Sequence, residues 1–205
     1  ISAPACISTA VRVGATTDTD QRASFSNSLP ALLTVFAPGV SVYAAYPSGY
    51  SSMSGTSQAA PHVAGAFAML NLAIHNLNPA ALISYLRSTG LPIVVPGGST
   101  PRIDILSAYN TMIASTPGVI VRAPLQGRPA PSNRAAVPVS VRIARVSDGA
   151  VLVNTTRSTD FNGRFTQVIA ADSYRVRVKH AQALAVTADV TVSGGLISLT
   201  LPPLP

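Results

Sequence analysis

The feature that most constrains this chain is a change in hydrophobic period near Thr116-Pro117-Gly118. Before it, Val63, Phe67, Leu70 and Ile74 recur at spacings of four, three and four, which puts them on one face of a helix. After it, apolar and polar residues alternate in short runs, the period of half-buried strands. One layer type cannot serve both patterns, so two domains are expected, 1–117 and 118–205. With 47% hydrophobic and 10% charged residues, the chain can bury a sizeable core and does not read as disordered.

In the first segment a helix is predicted over 56–74, with Pro61 close to its start, where the first amides have no intrahelical acceptor. A second helix takes Asn78 as N-cap and Pro79 as first residue, carries Leu82 and Leu86, and stops at Gly90. Segments 10–15, 32–36 and 40–44 read as short strands, and the fold class is α/β. In the second segment, strands are predicted at 119–122, 137–146, 150–155, 165–170, 174–178, 185–192 and 196–201. Turn signals at Ser147-Asp148-Gly149, Asp160-Phe161-Asn162-Gly163 and Ser193-Gly194-Gly195 separate them, which points to an all-β, antiparallel sandwich. The Pro- and Arg-rich stretch 126–136 reads as a loop or linker extension.

The net charge of +7 is uneven. Residues 1–117 hold four Arg against Asp18, Asp20 and Asp104; residues 118–205 hold nine Arg and Lys179 against four Asp. The basic residues Arg142, Arg175 and Arg177 alternate along strands without aromatic interleaving, so the expectation is a solvated strand face and no nucleic acid partner. No apolar run reaches the roughly 18 residues of a membrane-spanning helix. Cys6, the sole cysteine, has no partner in the chain for a disulfide or a metal site. The chain opens at Ile1 without Met or a signal-peptide pattern, and it reads as a piece of a longer protein.

The most informative segment is Ser54-Gly55-Thr56-Ser57-Gln58-Ala59-Ala60-Pro61-His62-Val63-Ala64-Gly65. A serine here sits in the first turn of a small-residue helix, directly after a glycine-containing bend, Gly55 letting the backbone turn sharply. Amides of a first turn lack helical acceptors, and the helix dipole favours negative charge there. The amide of Ser57 could therefore stabilise a tetrahedral oxyanion formed at its own side chain. Ala59, Ala60, Ala64 and Gly65 are expected to let the helix pack close to a sheet. An isolated Gly-Thr-Ser before a helix would be an ordinary cap, so the whole string carries the reading.

That string resembles the active-serine motif of the subtilisin-like serine proteases, G-T-S-x-A-A-P-H-V-A-G, at every defined position. The resemblance extends to Ala10-Val11-Arg12-Val13-Gly14-Ala15, Ala23-Ser24-Phe25-Ser26-Asn27, Ala37-Pro38-Gly39-Val40 and Arg102-Ile103-Asp104-Ile105-Leu106-Ser107-Ala108, in the family's order. It covers residues 1–113 and implies the carboxy-terminal part of a three-layer peptidase domain. It further implies peptide-bond hydrolysis through an acyl-enzyme on Ser57, with an aspartate, a histidine and an oxyanion asparagine all upstream of the serine.

No histidine precedes Ser57. His62 belongs to the motif, but five residues along a helix rotate it by about 140° from Ser57. A local packing and hydrogen-bonding role is expected for it. His75 is read at the far end of the helix and His180 in the β-rich domain; Asp18 and Asp20 read as a solvated turn. The expectation is that the missing amino-terminal half of the peptidase domain is the chain's partner and that this polypeptide alone is nearly inert. Gln58 stands where many relatives carry Met. No cofactor or metal is expected from the residues, although the family often binds structural calcium and the carbonyls of Ala5, Ile7 and Ala10 fall at a weak cation site of some relatives. Substrates are proteins or peptides, and the location is extracellular, both by family resemblance.

The stretch from Thr159 to Phe165, followed by Tyr174-Arg175-Val176-Arg177-Val178, is similar to carboxypeptidase-regulatory-like, prealbumin-type sandwiches. It is read as an accessory structural module. Asn154-Thr155-Thr156 fits a glycosylation sequon. Two other readings stay open: a protease fold without catalysis, and a binding or adhesion function carried by the basic sandwich.

Overall fold

A computed structural model describes residues 4–74, 77–128 and 130–205. His75 lies outside the described residues. The chain divides into two compact units, Ile1–Met112 and Ile113–Pro205.

The first unit contains β1 (Val13–Thr16), β2 (Val35–Pro38), β3 (Val42–Tyr46), β4 (Gly49–Met53), α1 (Thr56–Ala73), α2 (Pro79–Thr89), β5 (Leu91–Val95), β6 (Gly98–Arg102) and the start of α3 (Ile105–Ser115). One sheet runs β1-β2-β6-β5. Its first three strands are parallel, and β5 returns antiparallel to β6 as a hairpin. The second sheet is the hairpin β3-β4. Helix α1 packs on β1 and β2, and α2 packs on α1 and β6, so the α/β layering follows.

The buried stripe of α1 is Ala59, Val63, Ala66 and Leu70, with Phe67 only half-buried. The face turns toward alanines because the sheet beneath it is lined by Ala15 and Ala37, both fully buried, which admit a close approach. Of the small residues expected to pack, Ala59 does so; Ala60, Ala64 and Gly65 face away from this core and are exposed. Asn78 caps α2, its side chain accepting from the Ala80 amide at 2.8 Å, with Pro79 in the first position. Asp104 performs the same role for α3, accepting from the Ser107 amide and hydroxyl, each at 2.9 Å. The Ser107 amide bond, then the hydroxyl bond and the nearby Arg102, hold the Asp104 carboxyl below its ordinary value against a smaller opposing effect of burial.

The second unit holds β7 (Gly118–Arg122), β8 (Pro138–Arg145), β9 (Val151–Ser158), β10 (Arg164–Val168), β11 (Asp172–His180), β12 (Val186–Val192) and β13 (Leu196–Thr200). They form a three-stranded sheet β10-β7-β13 and a four-stranded sheet β12-β11-β8-β9. All pairs are antiparallel except β7-β13, which is parallel where a wholly antiparallel arrangement was expected. The alternation is visible on β8, where Val139, Val141 and Ile143 are buried while Ser140 and Arg142 are exposed. Val119, Val121 and Phe165 of one sheet and Val141, Ile143, Tyr174 and Val176 of the other belong to one buried cluster. Two buried hydroxyls of this unit find partners. Tyr174 donates to the Ala170 carbonyl at 3.0 Å. Buried Thr159 accepts from the Val137 amide at 2.9 Å and donates to the Ala135 carbonyl at 2.7 Å. The stretch 126–136 carries a short 3₁₀ turn, Asn133–Ala135.

Candidate active site

The start of α1 is fixed by the residues that enter and leave the β3-β4 hairpin. Gly39, just past β2, donates to the Thr16 carbonyl at 2.9 Å and accepts from the Gly55 amide at 2.8 Å. A Cβ at Gly39 would lie 2.6 Å from the Ala15 Cβ and 2.8 Å from the Gly55 carbonyl oxygen. That junction of strand, strand and helix is therefore closed to any side chain. Two residues on, Ser41 adopts a left-handed φ of 54°, and its amide donates to Ser54 Oγ at 2.9 Å. These bonds tie the two ends of the hairpin together directly ahead of Gly55-Thr56-Ser57. Between them the hairpin stands exposed, with Tyr43 and Tyr50 stacked at 5.7 Å between ring centroids.

Ser57 lies in the first turn of α1 and is exposed. The Gln58 and Ala59 amides close the turn on the Gly55 carbonyl, at 3.1 and 3.3 Å. The Ser57 amide has no acceptor available within the helix. Among the described residues, Ser57 Oγ has no hydrogen-bond partner, and none of them draws off its proton. The side chain opens on a depression of about 440 Å³ walled by Gln58, Pro61 and His62 of α1 and by Val42 and Ala44 of β3. Gly55 and Thr56 stand at the helix entry and do not line it. His62 Nδ1 sits 2.9 Å from the Gln58 carbonyl oxygen. A carbonyl can only accept, so Nδ1 carries the proton of that bond.

Two expectations about this segment need correction. Gly55 has φ 165°, extended backbone that any residue adopts. A Cβ there would meet only the end of the flexible Gln58 side chain, at 2.7 Å. The tight position is Gly39, which the sequence marked merely as one landmark in a series. Pro61, in turn, is the sixth residue of α1 and so lies beyond the amides that lack acceptors. Its missing N–H deprives the Ser57 carbonyl of its usual partner four residues on.

The other ionisable residues lie apart from Ser57. Asp18 is exposed. Asp20, expected to be merely solvated, is held by Arg102 through Nε at 2.6 Å and Nη2 at 3.1 Å. His180 ends β11 in the second unit. Of the carbonyls noted for a cation, Ala5 accepts from Arg12 Nε at 3.0 Å and Ile7 accepts from the Ala10 amide at 3.1 Å. Among the described residues, no group of three or more His, Cys, Asp or Glu is placed to hold a metal.

Residues 1–114 match the Subtilase family. The chain belongs to the subtilase family. Over 106 residues this subtilase is 42% identical to Subtilisin-like protease 1 of Arthroderma otae, a match covering 51% of this chain and 21% of that protein. Over 90 residues it is 47% identical to Subtilisin DY of Bacillus licheniformis, covering 43% and 32% respectively. Among solved structures, a cold adapted subtilisin-like serine proteinase aligns at 39% identity with a TM-score of 0.44, covering 48% of this chain and 37% of that one. The subtilase chain thus spans about a fifth to a third of the length of these curated relatives. Val42 and Ala44 went unmarked in the sequence as part of the site, because an apolar strand carries no chemical signal until its neighbour across the depression is known.

Proposed function

We propose that Ser57 is the nucleophile of a serine endopeptidase, and that this chain is the serine-bearing part of its catalytic domain. Its hydroxyl oxygen attacks the scissile carbonyl, the carbonyl oxygen becomes an oxyanion facing the Ser57 amide, and collapse expels the amine and leaves an acyl-serine. Water then releases the acid and restores the hydroxyl. A histidine must take the serine proton and return it to the leaving amine, and a carboxylate must orient that histidine. Both would come from residues outside this chain, as would a side-chain donor to the oxyanion. Thr56, Pro61 and His62 support the turn that carries the serine, without handling the proton.

The observation that carries the reading is an exposed serine in the first turn of α1, inside the stretch that matches the family. A second one favours the missing partner. Helix α1 is apolar on nearly every side, yet only one stripe is buried, and Met69 and Leu72 are 60% and 71% exposed. An all-round apolar helix belongs in the middle of a domain, so its open side is where the rest of the peptidase domain would dock. Substrates would be proteins or peptides and the setting extracellular, by analogy with the family. No described helix is long and apolar enough to cross a membrane. The second unit serves as an accessory β-sandwich, its two sheets sharing one core.

The test uses the whole protein, with its native leading region. Ser57→Ala should lower peptide hydrolysis by several orders of magnitude with folding unchanged, and a fluorophosphonate probe should label Ser57 and no other residue. Equal hydrolysis by the alanine variant would refute the reading.

A further inference from the structure

The outer face of the four-stranded sheet in the second unit places Arg177 of β11 directly across from Arg142 of β8. Side chains so paired have Cβ atoms roughly 5 Å apart, and like charges in that arrangement destabilise a sheet. Neither arginine has a counterion among the described residues, and neither has Lys179, two positions from Arg177 on the same face. The sheet is able to neutralise such a residue, as Arg175 shows. It lies across from Asp189 and binds it through two bonds of 2.8 Å each. One step further along, the same strand meets a guanidinium instead of a carboxylate.

The surroundings of this uncompensated charge are hydroxyls and an amide. In strand order, one row across the sheet reads Thr187, Arg177, Arg142, Asn154. The next reads Lys179, Ser140, Thr156, and a depression of about 320 Å³ opens there beside Pro138 and His180. Neither row contains an acidic residue, an aromatic ring or a large aliphatic side chain. We infer that this face binds an acidic polysaccharide. Carboxylate or sulfate groups would neutralise Arg142, Arg177 and Lys179, while Ser140, Thr156, Asn154 and Thr187 would exchange hydrogen bonds with sugar hydroxyls. Single-stranded nucleic acid would call for rings on which bases stack, and a lipid surface for apolar side chains that enter it. The rows offer neither.

The experiment titrates the full chain with polygalacturonate, neutral dextran, oligothymidylate and phosphatidylglycerol vesicles, at low and at physiological salt. Polygalacturonate should bind, more weakly as salt rises, and dextran should not. Arg142→Glu gives Arg177 the carboxylate it lacks, so the variant should melt no lower than the parent. It should bind polygalacturonate about tenfold or more weakly, since removing one cation and adding an anion costs roughly 1.4 kcal/mol or more. Arg175→Ser, on the same face but already paired in the parent, should change affinity far less. The inference is overturned if polygalacturonate does not bind at low salt, or if Arg142→Glu leaves its affinity unchanged. It is also overturned if oligothymidylate or the vesicles bind as tightly.

Discussion

The two units bury their apolar residues with very different completeness. In the second, the inward positions of two sheets meet in one cluster, and the outward positions are mostly polar or ion-paired, as at Arg175-Asp189 and Arg145-Asp172. Hydrogen bonding to Arg175, reinforced by its charge, holds the Asp189 carboxyl below its ordinary value. In the first, the longest helix leaves Met69 and Leu72 in the open, and the β3-β4 hairpin exposes Tyr43 and Tyr50 at 71% each. The contrast teaches that the second sequence is matched to the structure it forms, while the first carries more apolar surface than its described fold covers. The proposed catalytic serine and the incomplete burial fall on the same unit.

The comparison can be broken by perturbing each core in turn. Leu70→Ala, at a fully buried α1 position, should cost about 2–5 kcal/mol and strip hydrogen-exchange protection from α1. Retained protection there would mean that the first unit is not the weaker of the two. Gly39→Ala should cost about 1–3 kcal/mol by forcing apart Ala15 and the Gly55 carbonyl, read as a lower denaturation midpoint. In the second unit, Thr159→Val keeps the shape but strands the Val137 amide, for about 1–3 kcal/mol in urea denaturation. Asp104→Ala should cost about 1 kcal/mol through loss of the α3 cap. Because the folded carboxyl titrates below its unfolded value, this contribution is present at neutral pH and disappears as the pH falls through the lowered value. The gap between parent and variant should therefore close in acid. The smallest effect, within about 0.5 kcal/mol, is expected for Leu72→Lys in this chain. A large loss from that change here would show that Leu72 is covered after all.

Much of this was legible from local signals. Helix α2 was readable at both ends: Asn78-Pro79 act within one turn of themselves, and the helix stops at Gly90, where a Cβ would meet the distant Arg102 carbonyl at 2.5 Å. Strands such as β8 and β11 were readable because each has a buried and a solvated face, and turns of the second unit carry glycines such as Gly149 and Gly163 at positive φ. The strand read at 40–44 overlaps β3, but its hairpin with β4 and the β5-β6 hairpin went unread. Both faces of β3 and β4 are largely exposed, so no alternation marks them. Pro92 and Pro101 within β5 and β6 argue locally against strands; β5 is an edge strand, and β6 is paired with β2 only at Arg102. At the candidate site, the first-turn placement of Ser57 was readable from its motif. The role of Gly39 was not, since three segments distant in sequence must converge before a missing side chain acquires a meaning.

The ring of Pro61 has one last effect. A backbone without a donor at that point unhitches the turn bearing Ser57 from the hydrogen-bonded ladder behind it, on the side of the Ser57 carbonyl. In front, the Gly55 amide and Ser54 Oγ tie its entry to Gly39 and Ser41, so the serine-bearing turn draws from those strand-end contacts part of the hold that the helical ladder gives up.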